Sequence, residues 1–167
     1  MKIIASSNTR AIRRLLDRAQ RRDPVVEKQV TRIVSGVRRR GDRSLQDYAR
    51  RFDQVTGPLE VSRREMRSGA KQTPPAVRRA IKEAARLIRR VATKQVPKSW
   101  RATTVPGVVV EQRVLPLERV GCYVPGGRYP LPSSLLMTAL PAQVAGVQEI
   151  IAACPRPEPA VLAAGLE

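Results

Sequence analysis

The stretch from Arg119 to Cys154 constrains the fold more than any other part of the sequence. It begins with the apolar run RVGCYV, passes through a Pro-Gly-Gly turn at 125–127 into a segment that predicts a helix over 133–145, and returns to an apolar run over 147–154. Short apolar runs rich in β-branched residues are typical of buried strands, and glycine and proline mark turns. This order predicts a parallel β-α-β unit of the dinucleotide-binding type.

The residues before this unit are predicted to be mainly helical. Four segments place apolar residues at steps of three and four, as on one face of an amphipathic helix. They are 8–22, 24–41, 44–52 and 73–95. Ser62 with Glu65 three residues later forms a plausible capping box for a further helical turn. Val108–Val114, which follows Pro106-Gly107, is rich in β-branched residues and predicts a strand or half of a hairpin.

The helical segments and the β-α-β unit divide the chain into two predicted regions. Residues 1–115 form a helical N-terminal region with a short strand or hairpin, and residues 116–167 form the start of a Rossmann-like α/β domain. The last helix begins at Ala160 and has barely two turns before the sequence ends. Parallel sheets need helices on both faces. We therefore expect the parallel unit to be incomplete and the chain to be truncated.

The formal net charge of +18 first suggests binding to nucleic acid, because clustered arginine and lysine neutralise phosphates. Aromatic residues make up only 3% of the chain, however, and the basic residues are spread over several helices. The sequence therefore offers no aromatic platform on which bases could stack, and it contains none of the known groove-binding modules. The sequence therefore does not favour a nucleic-acid-binding function.

The composition also bears on whether the chain binds a metal ion or spans a membrane. The chain contains no histidine, and its two cysteines, Cys122 and Cys154, form no CxxC pair. Both cysteines lie in apolar stretches, which favours buried hydrophobes over a reactive thiol or a disulfide. No apolar run approaches the length of a membrane span, and the N-terminus lacks the features of an export signal. We expect a soluble, cytoplasmic protein.

The Pro-Gly-Gly turn is the segment most suited to binding a ligand. Gly126 and Gly127 provide flexible backbone ahead of a helix N-terminus, where unpaired N–H groups and the helix dipole favour a phosphate. The turn is not the GxGxxG fingerprint of dinucleotide-binding proteins. From the pattern alone it is either an anion-binding turn or merely a tight connection.

A family resemblance extends what the pattern alone indicates. The run ERVGCYVPGGRYPLPSSLLMTALPAQVAGVQEI, residues 118–150, strongly resembles the signature of the cofactor-binding domain of histidinol dehydrogenases. Upstream segments agree with the family in the same order. They are RRDP at 21–24, RGDRSLQDYARRFDQV at 40–55, LEVS at 59–62, PKSW at 97–100 and QRVLPLERVG at 112–121. The resemblance covers nearly the whole chain.

The resemblance implies an enzyme that oxidises L-histidinol through an aldehyde to L-histidine with two NAD molecules and a bound zinc ion, as a homodimer. It also implies an aldehyde-dehydrogenase-like version of the Rossmann-like fold. The family's dinucleotide-contacting tyrosine corresponds to Tyr123, with Pro125, Gly126 and Gly127 as the neighbouring loop. An aromatic residue that only caps the strand end is the alternative for Tyr123.

The departures from the family limit what this chain can do. A chain without histidine has neither the family's histidine base nor its histidine zinc ligands. We therefore expect no catalytic residue, no metal ligand and no activity from the chain alone. The alternative from another class is a non-catalytic basic module that binds an acidic partner or nucleic acid.

Overall fold

A computed structural model describes residues 4–20, 23–126 and 129–167. The chain divides into two units, Met1–Thr56 and Gly57–Glu167. The predicted loop residue Gly127 lies outside the described residues. In the described ranges, no helix has both the length and the apolar character needed to cross a membrane.

The first unit is helical, as predicted. It contains α1 (Thr9–Gln20), α2 (Pro24–Arg40) and α3 (Asp42–Tyr48), which continues into a π-helical turn, Ala49–Asp53. Asp23 caps α2 because its carboxylate accepts a hydrogen bond of 2.9 Å from the Val25 amide, and Pro24 occupies the first turn.

Small residues allow α2 and α3 to pack closely. Ser44 is fully buried, and a Cβ added to Gly36 would lie 3.1 Å from the Tyr48 hydroxyl and 3.2 Å from Ser44 Oγ. Arg40 donates a hydrogen bond of 3.0 Å to Ser44 Oγ. The apolar face predicted for α2 is only partly covered, since Val26 is 53% exposed.

The second unit begins with two helices, α4 (Arg63–Gln72) and α5 (Pro75–Gln95). The predicted capping box is confirmed. The Ser62 hydroxyl accepts a hydrogen bond from the Glu65 amide, while the Glu65 carboxylate accepts one of 2.8 Å from the Ser62 amide. These reciprocal bonds satisfy two amide donors and fix where α4 starts.

A complete antiparallel hairpin follows α5. Strand β1 (Trp100–Val105) pairs with β2 (Val108–Gln112) around Pro106-Gly107, and Gly107 has a φ of 82°, which favours glycine. The predicted strand Val108–Val114 contains β2, but the sequence pattern predicted no strand at β1. The reason is that β1, WRATTV, lacks the continuous apolar character of β2. Every residue of the two strands is exposed.

The β-α-β unit completes the second unit, and it confirms the predicted α/β class. It consists of β3 (Arg119–Tyr123), α6 (Pro132–Val144) and β4 (Glu149–Ala153), followed by α7 (Pro159–Ala164). Strands β3 and β4 pair in parallel. Pro141 lies inside α6 and does not divide it into two helices.

The core of the second unit lies between α6, α7 and the helices α4 and α5. One cluster of buried apolar side chains joins these elements to the end of β3. Its members are Ala70, Ile81, Ala85, Val124, Leu135, Leu136, Leu140, Val161, Ala163 and Ala164. The helices before the hairpin therefore cover the helical layer of the β-α-β unit.

Candidate cofactor-binding edge

The parallel strands are held in one register along their whole length. Arg119 pairs with Glu149 at the start of the strands, and Tyr123 pairs with Ala153 at their carboxyl ends. The Arg119 guanidinium contacts the Glu149 carboxylate at 2.6 Å, and the Val124 amide donates a hydrogen bond of 2.9 Å to the Ala153 carbonyl. The ion pair is exposed, so it contributes little stability. The backbone ladder sets the register.

The two faces of this sheet differ in burial. Cys122 and Val124 are buried, and Val124 belongs to the cluster that contains the leucines of α6. Because side chains alternate along a strand, Gly121 and Tyr123 lie on the other face, where both are exposed. Ile151, the partner of Gly121, is 50% exposed on β4. One face packs on α6, and the other is available to a ligand or to further polypeptide.

Tyr123 stands at the carboxyl end of β3 with 66% of its surface exposed. The next residue, Val124, is completely buried and fixes the backbone at this point. Open α/β sheets bind ligands at the carboxyl ends of their strands. The structure therefore places the predicted cofactor tyrosine where the class of fold places its ligands.

The turn after β3 brings two loops of the same edge together. Pro125 and Gly126 are both exposed. A Cβ added to Gly126 would lie 3.1 Å from the Pro155 carbonyl oxygen and 3.3 Å from the Pro155 Cβ. The sequence pattern suggested flexible backbone as the reason for Gly126, but its φ is outside the left-handed region. Close approach to the loop after β4 is the reason that glycine fits here.

Neither cysteine offers an activated nucleophile. Cys122 and Cys154 are free thiols, the first buried and the second half-buried. Desolvation raises the pKa of the Cys154 thiol, which disfavours the reactive thiolate. Across the part of the chain that the structure describes, no group of three or more histidine, cysteine, aspartate or glutamate side chains could hold a metal ion.

The loop after β4 belongs to this edge but was not predicted to do so. Pro155 contacts Gly126, and the next residue, Arg156, is exposed with a φ of 46°. The predicted parallel order of the strands could have identified this loop, because the carboxyl ends of parallel strands meet at one edge of the sheet. A prediction that includes both βα turns would have included these residues.

The fold defines an α/β protein with a parallel β-α-β unit. Comparisons identify its family. The family model described as histidinol dehydrogenase matches residues 16–166. The chain therefore belongs to the histidinol dehydrogenase family, as the sequence motifs indicated. This membership does not favour the alternative of a basic binding module.

Individual relatives agree with the family match. The chain is 39% identical over 155 residues to a histidinol dehydrogenase from Cupriavidus pinatubonensis, covering 88% of this chain and 35% of that protein. It is 40% identical over 153 residues to one from Methanothermobacter thermautotrophicus, covering 91% and 36%. The crystal structure of histidinol dehydrogenase from Elizabethkingia anophelis superposes with a TM-score of 0.78 at 28% identity, covering 88% and 35%. The chain thus spans about a third of the length of these relatives.

Proposed function

We propose that this chain is the N-terminal part of a histidinol dehydrogenase and that the carboxyl edge of β3 and β4 binds NAD. The exposed Tyr123 ring at the end of β3 is the observation that carries the proposal. Tyr123 contacts the dinucleotide, and Pro125, Gly126 and Gly127 form the loop beside it. Residues 116–167 begin the NAD-binding domain, and α4 and α5 of the second unit pack against its helices.

The residues at this edge fit a flat ligand. Gly121 lies on the same face as Tyr123, and a Cβ added there would meet no atom within 4 Å. The strand surface next to the tyrosine is therefore unobstructed by described residues. A planar ring can lie against Tyr123 there, while the buried Val124 holds the tyrosine backbone in place.

The enzyme that we propose oxidises L-histidinol through an aldehyde to L-histidine in the cytoplasm, as a homodimer, with two NAD molecules and zinc. NAD supplies the hydride acceptor when it is bound. Family membership supports the substrate and the cofactors, and a biosynthetic role supports the location. In the enzyme that we propose, the family's histidine zinc ligands and histidine base come from other polypeptide, because this chain has no histidine.

Two measurements on the purified chain test this proposal. Calorimetric titration with NAD should give saturable binding that Tyr123→Ala weakens about 5- to 150-fold, equivalent to about 1 to 3 kcal/mol. Trp100→Ala, which removes another exposed aromatic side chain from the hairpin, should leave NAD affinity unchanged. Equal effects of the two substitutions, or no NAD binding by the wild-type chain, would refute the cofactor role.

The second measurement is the production of NADH from histidinol and NAD by the 167-residue chain, with and without added zinc. We expect none, because no histidine is available as a base. Turnover that a chelator abolishes and zinc restores would show that the chain contains a complete active site.

A further inference from the structure

Arg156 has an unusual backbone conformation in the loop between β4 and α7. Its φ is 46°, and Gln54 is the one other non-glycine residue with a positive φ in the described ranges. This region is costly for residues with a Cβ, and such strain persists only where the surroundings impose it. Here Pro155 and Pro157 flank Arg156 and restrict the loop on both sides.

This loop lies at the same edge as Tyr123. Strand β4 ends at Ala153, which pairs with Tyr123, and Arg156 follows three residues later. The Pro155 carbonyl oxygen would be 3.1 Å from a Cβ on Gly126. The two βα loops are therefore in contact, and Arg156 directly follows Pro155 in the second loop.

The guanidinium of Arg156 is available to an anion. The residue is exposed, and its side chain has no ion pair or hydrogen bond with any described residue, Glu158 of the same loop included. Arginine binds phosphate oxygens in a bidentate geometry that lysine cannot reproduce. The pyrophosphate is the anionic group of NAD.

We propose that Arg156 is a second cofactor-binding residue, whose guanidinium binds the pyrophosphate of the NAD molecule that Tyr123 contacts. This inference rests on the proposed function of the edge. It explains why a strained, unpaired arginine stands between two prolines at this position. The two prolines and the approach of Pro155 to Gly126 restrict the Arg156 backbone at this edge before the ligand arrives.

Four variants of the 167-residue chain test the inference by NAD titration and thermal melting. Arg156→Gln should weaken NAD binding about 10-fold, equivalent to about 1.4 kcal/mol, and Arg156→Lys should weaken it less. Arg156→Gly should weaken NAD binding as much as glutamine does but raise the melting temperature, since glycine adopts a positive φ without strain. The matched control, Arg78→Gln, removes an exposed charge from α5 and should change neither quantity.

Salt provides an independent readout. Wild-type NAD affinity should fall as sodium chloride rises, and the affinity of Arg156→Gln should fall less steeply, because one charge contact has been removed. NAD binding that depends on Tyr123 but not on Arg156 would overturn this inference alone. A lower melting temperature for Arg156→Gly would show a structural role and overturn it too. Failure of the wild-type chain to bind NAD would overturn both this inference and the proposed function.

Discussion

Substitution of Val124 by alanine tests the link between the core and the cofactor edge. Val124 is completely buried between Tyr123 and the turn, and it packs in the cluster that includes Leu135 and Leu136 of α6. The change removes two methyl groups, each worth about 0.8 kcal/mol when buried, and leaves a cavity that brings the expected loss to about 2–3 kcal/mol. For a chain of this size, the melting temperature should fall by about 4–12 °C.

The assay is thermal and urea unfolding followed by circular dichroism. Val110→Ala is the matched control, because Val110 is 41% exposed on the hairpin and the same two methyl groups contribute little there. Its effect should stay within about 0.5 kcal/mol. If the two substitutions lower the free energy of unfolding equally, the end of β3 is not anchored in the core as described.

Three further predictions concern the loop, the capping box and the exposed surface. Gly126→Val should destabilise the chain by about 1–3 kcal/mol, because the new side chain meets the Pro155 carbonyl, whereas Gly121→Ala, which meets nothing, should not; chemical denaturation compares them. Hydrogen bonds from Ser62 lower the pKa of Glu65. The stability that its carboxylate contributes is present above the pKa of an unfolded glutamate and disappears as pH falls through the lower folded pKa. The stability difference between wild type and Glu65→Gln should therefore shrink on acidification, and a difference independent of pH would contradict this assignment. Exposed valines on α2 and the hairpin should bind a hydrophobic dye or drive self-association, and a monodisperse monomer without dye binding would argue against this.

Local signals in the sequence were sufficient for much of the fold. Ser62 and Glu65 identified the start of α4, and the predicted helical segment 24–41 begins at Pro24, where α2 begins. These signals involve backbone groups within one helical turn, so they can be recognised without knowledge of distant contacts. The β-α-β order was also predictable, because two apolar runs separated by a helix favour parallel pairing.

Features that depend on tertiary contacts were harder to predict. The first hairpin strand contains Arg101 and Thr103 and becomes a strand only by pairing with β2. The contact between Gly126 and Pro155 joins loops about thirty residues apart, which no local pattern reveals. For the site, the resemblance identified Tyr123, whereas Arg156 became a candidate only when the two loops were seen together.

Residue-level mapping of NAD binding tests the central claim most directly. Backbone amide resonances of the isotope-labelled chain would be followed by NMR during titration with NAD. We expect saturable shifts concentrated at Tyr123, Gly126 and Arg156, with little change in the β1–β2 hairpin. Shifts absent from the carboxyl edge of β3 and β4, or centred on α1 and α2, would contradict NAD binding at this edge.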